Sequence, residues 1–298
     1  MIFQRQKLLL ELVRSLEGDI GNLDFQKLLC LFCMDWEDEP TYEFVPYRFG
    51  GFSFSSYADK RKLTEKGLLE ECERSWKLTE KARSKSFLPS DRKRHIDQFV
   101  DAHRELRGDE LVTKVYCRFP YLATRSEMVD RLLAGDSKAL EAVQSEIPEK
   151  PVPGVCTIGY EGKSLENYMN RLLKDGVNLL CDVRRNPLSR KYGFSKGALS
   201  RTCEMVGIRY EHLPELGIAS EDRQELNSDD DYKVLFARYI RESLPKHGAA
   251  LITIRSWVDE GYRVALTCYE HTPEQCHRHC VADALKKRFG SSCIPSHL

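Results

Sequence analysis

The sequence predicts a mainly helical, winged-helix-like domain over residues 1–147, followed over 154–298 by an α/β domain with three layers around a mostly parallel sheet. Three observations predict it. Residues 145–154 read SEIPEKPVPG, and three prolines and a glycine in ten positions suit neither a helix nor a strand interior. Before that break, apolar residues recur at helical spacing. After it, short apolar runs alternate with amphipathic segments, the mark of a chain built from βαβ units.

The elements follow in order. Helical spacing predicts helices over about 3–17, 22–35, 55–70, 90–106 and 124–143, with Glu73 to Thr79 a short strand pair or wing. Cys30 and Cys33 lie inside an apolar helix without a second cysteine pair nearby, so they are expected in the core. Past the break, VCTIGY (155–160) and VNLLCDV (177–183) read as strands buried on both faces. Between them KSLENYMNRLLKDG has Ser164 as a cap, Leu165, Met169 and Leu172 on one face, and Gly176 as a stop. A helix from Ser195 to Val206 precedes a strand at 208–213. Helices at Asp230 to Leu244 and Ala249 to Glu260 precede a last strand, RVALTCY (263–269), and a helix from Thr272 to Arg288.

Composition excludes some classes. Apolar residues make up 41% and charged residues 31%, a balance for a globular protein rather than a disordered one. Lys and Arg number 46 and so do Asp and Glu, so any nucleic-acid contact must come from local clustering. The first residues, MIFQRQKLLLELVR, break their apolar run with charges and read as an amphipathic helix, not a signal peptide. No apolar stretch approaches the roughly 20 residues a bilayer requires. Eleven cysteines, an odd number without disulfide-scaffold spacing, are expected as reduced thiols in the cytoplasm.

In an open parallel sheet, ligands bind where strands end and helices begin. Three segments leave strands there with polar groups directly after apolar runs: Gly159-Tyr160-Glu161, Asp182 to Ser189, and Glu270 to Arg278. The last predicts a helix start with Thr272 as cap, Pro273 at the first position and Gln275 closing a capping box. Cys276, His277 and Arg278 then fall in the first turns. Unpaired N–H groups there favour an anion and lower a thiol's pKa, and Arg278 adds a bidentate grip. In the structural alternative, Cys276 packs under the sheet and His277 bonds a loop. Cys276, His277, His279 and Cys280 also suggest a metal site, but 276 and 280 share a helix face that 277 and 279 do not. No metal and no other cofactor is therefore expected. From Arg184 to Thr202 six basic residues, Arg184, Arg185, Arg190, Lys191, Lys196 and Arg201, run without an acidic one, and Tyr192 and Phe194 sit among them. That mix suits a phosphodiester strand with stacked bases. A solvated, flexible lid would share it.

TIGYEGKSLE, CDVRRNPLSRKYGFSK and ALTCYEHTPEQCHRHCVADAL, in that order, resemble the bacterial family known as domain of unknown function number 488 over about residues 154–288. The family pattern falls on Gly159 and Tyr160, on Asp182, Arg184, Pro187 and Ser189, and on Cys268, Glu270, Cys276, His277 and Arg278. The resemblance implies no settled activity, only a connection with nucleic-acid processing and phage defence. Residues 24–71 loosely resemble the phage-antitoxin-like module called Panacea.

The leading expectation is a metal-independent hydrolase on nucleic acid, in its most specific form a DNA glycosylase acting on ordinary or modified bases. Asp182 or Glu270 would activate water or stabilise an oxocarbenium-like centre. Arg184, Arg185, Arg190, Lys191, Lys196 and Arg278 would hold phosphates, and Tyr160, Tyr192 or Phe194 would grip an extruded base. Two alternatives stand beside it: a phosphatase or sulfur-transfer enzyme with Cys276 as nucleophile, and a DNA- or partner-binding regulator that catalyses nothing.

Overall fold

The computed structural model describes residues 2–149, 151–223, 228–290 and 296–298. The chain divides into two compact units, Met1–Ile147 and Pro148–Leu298. No helix among the described residues is long and apolar enough to cross a membrane.

The first unit is mainly helical around one large apolar core, with Cys30 and Cys33 inside it. Its strands differ from the expected wing. Ser75–Lys77 is a single strand whose antiparallel partner is Asp19–Gly21, and the hairpin is instead Val45–Tyr47 with Gly50–Phe52. Strand pairing across more than fifty residues leaves no local signal to read. The single helix expected at 124–143 is broken into Val129–Leu132 and Ser137–Ser145, the latter capped by Asp136, which accepts from the Ala139 N–H at 3.0 Å. An unexpected helix, Gly108–Arg118, buries Leu111, Val112, Val115 and Tyr116.

Among its described residues the second unit holds five strands: β1 Gly154–Gly159, β2 Leu179–Asp182, β3 Arg209–His212, β4 Arg263–Cys268 and β5 Ser296–His297. Their order across the sheet is β3-β2-β4-β1-β5, and every pairing is parallel. The helices are α1 Leu165–Lys174, α2 Lys196–Met205, α3 Asp229–Arg238, α4 Gly248–Asp259 and α5 Arg278–Phe289. Helix α1 starts where Ser164 Oγ accepts from the Asn167 N–H at 2.9 Å. It stops at Gly176, whose φ of +69° suits a residue without a side chain. Its buried Tyr168, Met169 and Leu172 each contribute about 1.5–3 kcal/mol of apolar burial.

Successive strand residues face opposite sides of a sheet. Val155, Leu179, Cys181, Val264 and Leu266 therefore share one core with α3, α4 and α5. Thr267, one step along β4, instead accepts a 2.7 Å hydrogen bond from Tyr168 on α1.

Burial pushes the thiols of Cys156, Cys181 and Cys203 above their ordinary pKa. Their protonated form is kept in the folded state and lost from the unfolded chain above about pH 8.5. The unfolded state then binds fewer protons, so this stability is fully present below that pH and is lost as pH rises. The expected cost is about 1.4 kcal/mol per thiol per pH unit. Urea midpoints should fall between about pH 8 and pH 10; a flat profile over that interval contradicts the assignment.

Candidate functional site

The two-residue period of the strands divides the expected site into two clusters on opposite faces of the sheet. Asp182, at the end of β2, points to the α1 and α2 side. Its carboxylate is fully buried and accepts from Arg184 Nε at 2.8 Å, Arg184 Nη2 at 2.5 Å, the Arg184 N–H at 3.1 Å and the Tyr210 hydroxyl at 2.6 Å. Arg184 also donates from Nη1 to the Tyr160 hydroxyl at 2.9 Å and to the Phe194 carbonyl at 2.8 Å. Burial alone would lower the arginine's pKa, but Asp182 pushes it above its ordinary value. Tyr160 and Phe194 stack on each other with ring centres 4.4 Å apart, and both are buried. Arg184 was expected to hold phosphate and Tyr160 and Phe194 to stack on bases. Their polar groups and ring faces are instead taken by each other, because the loop after β2 folds back over the sheet edge.

That loop is fixed rather than free. Ser195 Oγ bonds the Ser189 N–H and carbonyl at 3.1 and 3.0 Å, and the Lys196 N–H donates to the Pro187 carbonyl at 2.9 Å. Lys191 Nζ donates to the Tyr160 carbonyl at 2.9 Å, and burial lowers its pKa. Lys196 Nζ lies 3.1 Å from His212 Nδ1, while His212 Nε2–H donates to the Arg184 carbonyl. Arg185 and Arg190 are exposed and have no ion pair among the described residues. Tyr192 is 39% exposed.

The second cluster faces α3–α5 and is built by the strand end of β4 and the start of α5. The chain here is not the continuous helix the sequence suggests. A short 3₁₀ turn spans Pro273–Gln275, Cys276 is extended with φ −135° and ψ 132°, and α5 begins only at Arg278. Thr272 makes no side-chain cap. In one continuous helix Cys276 and His277 would point about 100° apart; the break turns both toward Cys268 and Glu270. Cys268 Sγ lies 3.2 Å from Glu270 Oε2 and 3.7 Å from His277 Nδ1. His277 Nε2–H donates to the Val183 carbonyl at 3.0 Å, which leaves Nδ1 as the acceptor facing the thiols. The Sγ atoms of Cys268 and Cys276 and a ring nitrogen of His277 all lie within 4.8 Å of one another.

The lowered thiol pKa expected at a helix start is not found at Cys276. Cys276 is 1% exposed, and burial followed by Cys268 beside it pushes its thiol well up. A helix end cannot offset burial when the cysteine stands outside the helix. Glu270, only partly buried, behaves oppositely. Burial works to raise its pKa, but hydrogen bonds from Cys276, its own backbone N–H and Cys268, with the nearby His277, hold it below the ordinary glutamate value.

Arg278 was expected to grip a ligand anion. It is 1% exposed and donates to the Glu270 carbonyl at 2.5 Å and the His271 carbonyl at 2.9 Å, so it fixes the turn that carries Glu270. Gly159 allows that turn its position: a Cβ there would stand 1.8 Å from the Glu270 carbonyl oxygen. His279 bonds the Pro273 and Cys276 carbonyls at 3.0 and 2.6 Å, and Cys280 lies on the helix beyond; neither joins the cluster.

Three residues carry more than the sequence reading gave them. Tyr269, 46% exposed beside Glu270, packs edge-on to Tyr160 at 5.3 Å. Its signal was the alternation itself: between inward Cys268 and Glu270 it must point out. Tyr210 and Tyr239 had no such signal. Tyr239 begins a π-helical turn, Tyr239–Ser243, where an unbroken helix was expected, and its ring lies 6.0 Å from that of His277. It also lines a cleft of about 420 Å³ together with Arg185, Arg238 and Lys246.

Fold and site together define an open parallel α/β domain with ionisable groups gathered at the sheet's carboxyl edge, the position where such folds bind ligands. Residues 164–285 match the family model described as domain of unknown function DUF488. The match lies wholly in the second unit, so the Panacea-like resemblance of the first rests on its sequence pattern alone. No curated protein and no solved structure matches the chain.

Proposed function

We propose that the second unit is a hydrolase acting on nucleic acid, with Glu270 as its reacting carboxylate and cleavage of the bond between base and sugar as its most specific form. The observation that carries this reading is the contrast between the two carboxylates. Asp182 is sealed by four donors, while Glu270 is held ionised and keeps an open side. Exposed Arg185 and Arg190, without an ion pair among the described residues, supply phosphate contacts, and exposed Tyr192 and Tyr269 supply ring faces for an extruded base. In the reaction, water's oxygen bonds the anomeric carbon as the carbon–nitrogen bond breaks. Glu270 takes the water's proton, and the departing base gains one from solvent.

The test incubates the full chain with plain and base-modified DNA, duplex and single-stranded, then treats it with hot alkali. Strand breaks that form only after alkali report abasic sites and support the reading. DNA recovered intact in every arm overturns it and favours a chain that only binds.

A further inference from the structure

The second cluster has the donor set and spacing of a metal site, where none was expected from the sequence. Two thiols and an imidazole nitrogen face one point: Cys268, Cys276 and His277 lie mutually within 4.8 Å, and Glu270 stands beside them with Oε2 3.2 Å from Cys268 Sγ. Tetrahedral zinc, with bonds of about 2.3 Å to sulfur and 2.0–2.1 Å to nitrogen, spaces its ligand atoms roughly 3.5–3.8 Å apart. The Cys268 Sγ to His277 Nδ1 distance of 3.7 Å falls in that range.

The surroundings fit as well. His277 donates its other ring N–H to the Val183 carbonyl, the outer hydrogen bond that orients ligating histidines and fixes their tautomer. All three donors are at most 2% exposed. They are held by a central strand and by the break before α5, whose turn Arg278 clamps. Glu270 is the partly exposed member, so the fourth side of the cluster is the one that reaches solvent.

We propose that Cys268, Cys276 and His277 bind a zinc-class divalent cation, with Glu270 beside its fourth, solvent-facing position. Two thiolates select such an ion over magnesium or calcium. The motif that bears this function is Cys-x-Glu with Cys-His six residues on. The neighbouring His279 and Cys280 take no part. The inference does not depend on the substrate, because its test measures bound metal and not activity.

The experiment reconstitutes the full-length chain with zinc under reducing conditions, removes loosely held metal by dialysis and measures what remains. One equivalent per chain is expected. X-ray absorption at the zinc edge of this unaltered protein should give a shell with two sulfurs at about 2.3 Å and lighter atoms at about 2.0 Å. Cys276→Ser and His277→Ala should lower retained zinc by at least about tenfold, the scale on which even outer partners act; Cys280→Ser should retain it. Because the first two variants can fail to fold, cobalt substitution of the unaltered chain supplies a second reading: near-ultraviolet thiolate-to-cobalt absorption supports the site. Retention of less than a tenth of an equivalent, a metal shell without sulfur, or a Cys268–Cys276 disulfide in its place overturns it.

Discussion

Asp182→Asn is expected to destabilise the second unit by about 3–5 kcal/mol, the usual cost of removing one partner from a buried ion pair. The cost comes from what stays behind. Arg184 is 4% exposed, remains charged, and would keep only the Tyr160 hydroxyl and the Phe194 carbonyl as full acceptors. Tyr210 would also lose the charge on the carboxylate to which it donates at 2.6 Å. Replacing both partners, Asp182→Leu with Arg184→Met, should cost less than Asp182→Asn alone, because no uncompensated charge remains. Chemical denaturation of the three variants measures the difference. A change below about 1 kcal/mol in Asp182→Asn would remove the argument that this pair organises the loop after β2.

Glu270→Gln is expected to act on the chemistry instead. It should slow formation of alkali-labile sites by about 10²–10⁴-fold, the range for a lost general base, and shift the unfolding midpoint less than Asp182→Asn does. The pH profile gives an independent reading. The active form is the carboxylate, and its pKa is held below the ordinary glutamate value. Activity should therefore persist into mildly acidic solution and fall only as pH drops through that lowered pKa. A Glu270→Gln enzyme that keeps more than about a tenth of the wild-type rate would exclude Glu270 as the reacting group.

Much of the second unit was legible before folding. The strand and helix order, the Ser164 cap and the Gly176 stop are local matters, set by two-residue and 3.6-residue periodicity and by the conformations that single residues allow. The residues at the carboxyl edge were legible for the same reason, since a polar group directly after an apolar strand marks that edge. What those residues do was less so. Arg184 and Arg278 looked like anion grips because a sequence records charge but not the partner that consumes it; their partners are a carboxylate and two carbonyls.

Cys276 stands outside the helix because α5 begins five residues later than Pro273 suggests, and burial then raises the thiol's pKa. The first unit's strand pairing, Asp19–Gly21 with Ser75–Lys77, was out of reach because nothing local encodes a partner so distant.

By itself, then, the sequence determined the α/β alternation, the edge where the site lies and the residue types gathered there, because each depends on near neighbours along the chain. Only the tertiary structure decided that Asp182 belongs to a sealed ion pair on one face while Cys268, Glu270, Cys276 and His277 converge on the other. The physical reason is the sheet: its pleat sends successive residues to opposite sides, and long-range packing chooses what meets them there.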